Sequence, residues 1–399
     1  MKVTVTPGYL RGTVSAPPSK SHAQRLLLAA ALNDAPCRVL CEGNCADIRA
    51  MAGALNALGA EIGEDEAGYS VRGGIVPRGA SARVDCGESG VVLRFLLPLC
   101  CCLEREVTLC GSAGLAKRPI KPLLRALREN GAAIAGDALP LRTAGGLKSG
   151  TFSLPGNVSS QFFSGLLFAL PLLPGDSRLR FTTPPESAPY LDMAAAVLRR
   201  FGIAVRALPD GFLIPGGQRY HAPQTVRVEG DHSGAAFWLA ANALGSDIQI
   251  TGLDPDSCQG DRRIGEFLQR LGGEIDLRDH PDLMPVLAVC AMARPGKTRL
   301  THLNRLRFKE TDRLETVTRM ILALGGRAEL EYDSLTVYGT GISGGIVDGC
   351  GDHRVVMSAA VAGLCAKDPV TVTGAEAAGK SYLRFFADME RLGGNLSYE

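Results

Sequence analysis

A glycine recurs through this chain wherever an amphipathic run stops, and its spacing limits the available folds more than any other feature. It stands in Leu58-Gly59-Ala60, Asn130-Gly131-Ala132, Phe201-Gly202-Ile203, Leu271-Gly272-Gly273, Leu324-Gly325-Gly326 and Leu392-Gly393-Gly394. The runs before it, such as Ile120 to Asn130 and Leu314 to Leu324, carry helical periodicity. Glycine just past a helix supplies the left-handed backbone that closes it. Most of the six lie about 70 positions apart, with a shorter interval from Gly272 to Gly325. Solenoid repeats run roughly 20–50 residues, so these are small globular layers.

A second helix precedes each stop helix. The first helices are expected near Ser21, Gly90, Ser160, His232, Pro281 and His353, and the stop helices near Asp47, Arg118, Ala188, Asp261, Lys309 and Lys380. Strand-like pieces such as Val107 to Leu109, Val226 to Val228 and Val370 to Val372 fill the gaps. Six such units in 399 residues exceed one core, and three with three is the natural division. The boundary is expected between Ala222-Pro223 and Gly230-Asp231, with a second crossing at Pro17-Pro18. That gives one domain of 1–18 plus 228–399 and another of 19–227, with hinge crossings near 15–20 and 223–231.

A net charge of +2 with no long basic run excludes function through bulk charge, so neither nucleic acid nor an anionic membrane is an expected partner. The longest apolar stretches, such as Leu283 to Ala293, fall short of the roughly 20 residues that cross a bilayer. The start, Met1 to Thr6, alternates like a strand and lacks the core of a signal peptide, so a cytoplasmic location is expected. Twelve cysteines in a chain of this length fit a reducing compartment. Cys37, Cys41 and Cys45 are spaced by four, as in some metal sites, but Val39 and Leu40 between them read as strand. Those three, like Cys100 to Cys102, are read as small apolar filler and no metal is expected.

Charge then appears where helices disfavour it. Helix starts carry partial positive charge, and a Lys or Arg there costs about 0.3–1 kcal/mol. Yet Lys20 stands beside Ser21 at the first helix, Lys117 and Arg118 precede Pro119, Lys309 opens Lys-Glu-Thr-Asp-Arg, His353-Arg354 opens another helix, and Lys380 precedes Ser381. One such residue is a tolerated, solvated cation; repetition at equivalent places points to a compact, multiply charged anion. Ser159-Ser160-Gln161 begins a helix and either caps it or binds a ligand. Asp282 and Glu310 either stabilise helix ends or, beside Lys309 and Arg313, act as acid–base carboxylates, and His353 has the same two readings. Walker, dinucleotide, zinc and nucleophile-elbow motifs are absent from the sequence.

In order along the whole chain, Pro18-Ser19-Lys20-Ser21 with Arg25, Ser159-Ser160-Gln161, Lys309-Glu310-Thr311-Asp312-Arg313 and Asp352-His353-Arg354 resemble the 5-enolpyruvylshikimate-3-phosphate synthase family. The resemblance implies an α/β (α+β) fold of two similar domains, each of three βαβαββ units in a pseudo-threefold, inside-out α/β barrel, closing on its substrates. It implies transfer of the enolpyruvyl group of phosphoenolpyruvate to the 5-hydroxyl of shikimate 3-phosphate, with release of phosphate. The family does this by addition and elimination in the shikimate pathway, as a monomer and without cofactor. Carried over by motif, Lys20, Ser21, Arg25, Ser159, Ser160, Gln161, Ser187, Tyr190, Asp282 and Lys309 would hold shikimate 3-phosphate. Lys20, Gly90, Arg118, Gln161, Arg313, His353, Arg354 and Lys380 would surround phosphoenolpyruvate. Lys20, Asp282, Glu310 and His353 would be catalytic, with Asp282 as base on the attacking hydroxyl and Glu310 and Lys20 moving protons at the enolpyruvyl group.

Several positions depart from the family pattern: Glu88 and Val91 flank Gly90 where Asn and Thr are common, Arg305 stands where some members place a substrate-binding Asn, and Leu383 stands where a proline usually follows the aromatic residue. The UDP-N-acetylglucosamine enolpyruvyl transferases share the fold, but they have Lys-Asn in place of Lys20-Ser21. They also place a reactive Cys where this chain has Ala113, three residues after Cys110. A non-catalytic anion-binding relative would need the cations but not Asp282, Glu310 and His353.

Overall fold

The computed structural model of the protein describes residues 1–33, 35–75 and 79–399. These form two compact units, Lys20–Val228 and Met1–Ser19 with Glu229–Glu399. Each has its own apolar core, one built from residues between Ala23 and Val228 and the other from Val3 to Val14 together with Ala236 to Leu392.

The unit Lys20–Val228 contains α1 (Lys20–Ala31), α2 (Ala46–Ala57), α3 (Gly90–Cys102), α4 (Ala113–Ala116), α5 (Lys121–Glu129), α6 (Ser160–Ala169) and α7 (Ala188–Arg200). Helices α3 and α6 are apolar almost all round and lie buried, as such composition requires, whereas α1 is buried from His22 to Ala31 although its first half is polar. The stop helices α5 and α7 keep one polar face outward, with Arg128, Arg199 and Arg200 in the last turns where they answer the helix dipole. All six glycines of the repeat adopt positive φ, from 76° at Gly202 to 105° at Gly59, so the stop signal works as its chemistry requires.

The sheets repeat one pattern. Ala82–Asp85 runs parallel to Val107–Cys110, which pairs antiparallel with Leu141–Thr143, which pairs with Ile134–Ala135. Thr151–Pro155, Ser177–Thr183, Gly211–Ile214 and Arg206–Leu208 repeat that order. In the remaining sheet Thr225–Arg227, the last strand of the unit, lies parallel to Cys37–Leu40, followed by Gly68–Arg72 and Glu61–Asp65.

The second unit holds α8 (His232–Ala243), α9 (Ile264–Gln269), α10 (Met284–Ala293), α11 (Arg313–Ala323), α12 (His353–Cys365) and α13 (Phe385–Arg391). Glu274–Asp276, Lys297–Thr301, Ser334–Tyr338 and Arg327–Leu330 form one sheet of the same pattern. In the other four-stranded sheet Lys2–Thr6 takes the third place, between Val370–Thr373 and Asn395–Tyr398. The sixth layer is only two strands, Arg11–Ser15 beside Asp247–Thr251. It explains the short glycine interval: after Gly59 the chain makes a hairpin before the next parallel strand, whereas after Gly272 it enters Glu274–Asp276 directly. Among the described residues none of the six sheets closes on itself, and no helix is long and apolar enough to cross a membrane.

Four expected stop-helix starts are displaced. The helix expected near Arg118 begins at Lys121, with Pro122 rather than Pro119 in its first turn. Asp261 lies in a 3-10 turn, Gly260–Arg263, that leads into α9. Lys309 and Glu310 precede α11, because the Asp312 carboxylate accepts the Glu315 N–H at 3.2 Å and caps the helix there. Lys380 ends a 3-10 turn, Ala375–Lys380, and α13 starts at Phe385. Asp282 likewise sits in a 3-10 turn, Pro281–Leu283, just before α10. The cysteine filler is buried: Cys37, Cys41 and Cys45 are each 3% exposed, and burial pushes the thiols of Cys41 and Cys45 up to about 12 and about 11.

Candidate active site

In the Lys20–Val228 unit the predicted residues gather at the starts of α1, α3, α6 and α7. Lys20 opens α1, and its Nζ lies 3.0 Å from Oδ2 of Asp47 in the first turn of α2. One turn along, Arg25 is 1% exposed and donates Nη1 to the Ser21 carbonyl at 2.8 Å. Its Nη2 donates to the Tyr190 carbonyl at 3.1 Å and to Ser164 Oγ at 3.3 Å. The guanidinium also lies 5.0 Å from the Phe95 ring centre and 5.9 Å from that of Tyr190. Arg25 thus ties four helices at their site ends.

Gly90 is the first residue of α3, and a Cβ there would stand 3.1 Å from Nη1 of both Arg94 and Arg118. Two guanidiniums therefore rest against a bare α-carbon. Arg94, which sequence reasoning missed, is 5% exposed; it donates Nη1 to Gln161 Oε1 at 2.7 Å and Nη2 to the Pro119 carbonyl at 2.9 Å. Its i, i+4 spacing from Gly90 was the available signal. Ser159 Oγ accepts the Gln161 N–H at 3.3 Å, so that serine caps α6, with Ser160 buried behind it. Ser187 is buried and left-handed, φ 59°, and its side chain makes no capping bond to α7. A non-glycine residue held so costs about 1–3 kcal/mol, a strain that clusters at functional sites. Glu88 is exposed and Val91 half-buried on either side of Gly90. The Cys110 thiol donates to the Val84 carbonyl at 3.4 Å, within its own sheet.

In the second unit the centre is Arg313, the first residue of α11 and 1% exposed. Its Nη1 reaches Asp282 Oδ1, its Nη2 reaches Glu310 Oε2 and its Nε reaches Asp352 Oδ2, each at 2.7 Å. Burial opposes the charge, but Asp352, Glu310 and Asp282 outweigh it and hold the guanidinium firmly protonated. Lys309 Nζ shares Asp282 Oδ1 at 3.4 Å, and Arg354 Nη2 lies 3.8 Å from Oδ2 of the same carboxylate. Burial pushes Lys309 down to about 8, with Arg313 and Arg305 adding and Asp282 and Glu310 opposing.

Asp352, from the Asp-His-Arg motif, is fully buried. Its Oδ1 accepts the Arg354 N–H at 2.9 Å, capping α12, and its Oδ2 also takes the Thr311 hydroxyl at 3.2 Å. His353, 3% exposed, has Nδ1 4.0 Å from Asp352 Oδ1. Arg354 Nη1 donates to the Ser233 carbonyl at 2.8 Å, and Ser233 Oγ donates in turn to Asp261. Burial and Asp282 push the Asp261 carboxyl up to about 7, against the pull of Ser233 and Arg354. Lys380 Nζ donates to the Gly351 carbonyl at 2.9 Å, in the turn before α12. Asp282, Lys309, Glu310, Arg313, His353 and Arg354 therefore stand together, although Lys309 and Glu310 reach the group from a loop. Asp352 and Asp261 were missed because their role comes from what converges on them in space.

The whole chain also resembles known proteins. The family model of EPSP synthase (3-phosphoshikimate 1-carboxyvinyltransferase) matches residues 5–280 and 272–389. A 3-phosphoshikimate 1-carboxyvinyltransferase of Methanocorpusculum labreanum is 36% identical, covering 100% of both chains. One of Clostridium acetobutylicum is also 36% identical, covering 99% of this chain and 98% of its own. Among solved structures, an EPSP synthase from Acinetobacter baumannii superposes with a TM-score of 0.83 at 23% identity over 100% of both chains. The enolpyruvyl transferase NikO from Streptomyces tendae gives 0.80 at 19% identity, covering 100% of this chain and 98% of its own. These structural likenesses speak for the fold.

Proposed function

The chain belongs to the EPSP synthase (3-phosphoshikimate 1-carboxyvinyltransferase) family, and from that membership we propose the work of each site residue. The protein is a carboxyvinyltransferase: it moves the enolpyruvyl group of phosphoenolpyruvate to the 5-hydroxyl of shikimate 3-phosphate and releases phosphate, a step of the shikimate pathway. The observation that carries the assignment of roles is Asp282, one carboxylate within 4 Å of Lys309, Arg313 and Arg354. Such a carboxylate is placed to accept a proton, while its cationic neighbours hold anionic substrates.

For shikimate 3-phosphate the assigned residues are Lys20, Ser21, Arg25, Ser159, Ser160, Gln161, Ser187 and Tyr190, with Lys309. Asp282 takes the proton of the 5-hydroxyl as the hydroxyl oxygen bonds to C2 of phosphoenolpyruvate, and C3 gains a proton. The tetrahedral adduct then loses that C3 proton and expels phosphate, restoring the double bond. Glu310 and Lys20 carry these protons, and His353 supports them. Gly90, Arg118, Gln161, Arg313, Arg354 and Lys380 are assigned to phosphoenolpyruvate, whose phosphate and carboxylate need several cations to sit beside a second anion. The reading places the enzyme in the cytoplasm as a monomer.

Lys20→Ala tests it. Kinetics with both substrates should show kcat lowered at least about a hundredfold, the scale of a lost acid–base group, with the melting temperature little changed. Activity near the starting rate would mean that the residues have been assigned wrongly.

A further inference from the structure

Arg305 has no place in the roles assigned so far. It lies in the 3-10 turn Asn304–Phe308 that leads to Lys309, and it is 8% exposed. A long cation is rarely fully buried unless it is paired, so its partners matter. Its Nη2 donates to the carbonyl of Arg278, in the segment that runs into the Pro281–Leu283 turn carrying Asp282. One guanidinium therefore joins the two stretches of backbone that present Lys309 and Asp282. Those two side chains meet at 3.4 Å, on the oxygen that Arg313 also holds at 2.7 Å.

We propose that Arg305 is the positioning residue of the Lys309–Asp282 pair: it fixes the two segments against each other and adds a second positive charge behind Lys309. The proposal rests on the assignment of Lys309 to the phosphate of shikimate 3-phosphate. Lys309 is faced by Asp282 from one turn, by Arg313 from α11, by Glu310 from its own segment and by Arg305 from the turn before it. Asp282 and Glu310 stabilise its ammonium; Arg313 and Arg305 destabilise it. Arg313 exerts the larger of the two repulsions on Lys309, and Arg305 adds to it from the turn before. A phosphate dianion arriving at Lys309 answers both charges. Arg305 thus makes the empty pair less comfortable and the phosphate-bound pair more so, which is a preference for a doubly charged ligand.

The experiment compares Arg305→Gln, Arg305→Lys and Lys309→Gln by steady-state kinetics from pH 6 to 9.5, with thermal melting of each. Arg305→Gln should raise KM for shikimate 3-phosphate about tenfold, the scale of one charge-assisted contact, and leave KM for phosphoenolpyruvate within about twofold. The basic limb of kcat/KM for shikimate 3-phosphate should move upward by about half a pH unit or more, because a like charge has left Lys309. Arg305→Lys keeps the charge and should return the limb towards its original position. In Lys309→Gln the limb should vanish. If it persists there, the reading of Lys309 fails and takes this proposal with it. If it vanishes there but stands unmoved in Arg305→Gln, with KM for shikimate 3-phosphate unchanged, Arg305 is a packing residue and the proposal alone is overturned.

Discussion

Arg313 shows how much of this site depends on one residue satisfying several others. Three carboxylates converge on its guanidinium, and Asp352 among them is fully buried. Removing one partner of a buried pair leaves the other uncompensated and costs about 3–5 kcal/mol. Asp352→Asn keeps the shape and much of the cap on α12 but withdraws a charge. It should lower the melting temperature by several degrees and raise KM for phosphoenolpyruvate, read by calorimetry and kinetics on one preparation. Asp261 makes an opposite prediction. Its folded pKa of about 7 is raised, so its favourable contribution is complete below the unfolded carboxyl range near 3.8 and is lost as pH rises through about 7. Asp261→Asn should therefore gain in melting temperature relative to the parent between pH 6 and pH 8.5. A gap that stays flat or narrows would show that Asp261 ionises freely. At this scale the motif residues were legible in the sequence, since Lys-Glu-Thr-Asp-Arg and Asp-His-Arg are contiguous. Arg94, Asp261 and the role of Asp352 were not, because each acts through partners distant in the chain.

At the scale of elements, the helix starts tell a mixed story. Lys20, His353 and Arg313 do begin helices, whereas Arg118, Lys309 and Lys380 stand just outside them. The periodicity of α5 and α11 was readable, but the first residue of each depended on Pro122 and on the Asp312 cap, local choices that a repeat pattern does not resolve. The start of α3 is the most sensitive of these elements, because its first residue has no side chain. Gly90→Ala would set a methyl 3.1 Å from the tips of Arg94 and Arg118. Both tips can yield by a few tenths of an ångström, so the fold should persist. The displacement should raise KM for phosphoenolpyruvate several-fold while the melting temperature holds, and a large loss of stability would place the cost in the helix instead.

At the scale of the molecule, the six glycine stops and the two-core division follow from one argument: six layers of this size cannot share a single interior. The sequence carried the six glycine stops plainly, along with the α/β class. It did not show that the layer containing Arg11–Ser15 has only two strands, because the missing hairpin leaves no residue behind, just a shorter interval. Nor do local patterns show which strand completes a sheet. Lys2–Thr6 pairs on both sides, with Val370–Thr373 and Asn395–Tyr398, so deleting the first six residues should unpair two strands at once. That truncation should abolish cooperative melting of its unit. Retention of the full transition would mean the strand is dispensable.

The central claim is that these cations and carboxylates serve enolpyruvyl transfer between two phosphorylated substrates. Release of inorganic phosphate, followed in a single turnover with shikimate 3-phosphate and phosphoenolpyruvate, measures that directly. The account predicts one phosphate per carboxyvinyl group transferred with the parent protein, and a rate lowered at least about a hundredfold in Asp282→Asn. Binding of both substrates by the parent protein without phosphate release, or undiminished release by Asp282→Asn, would contradict it.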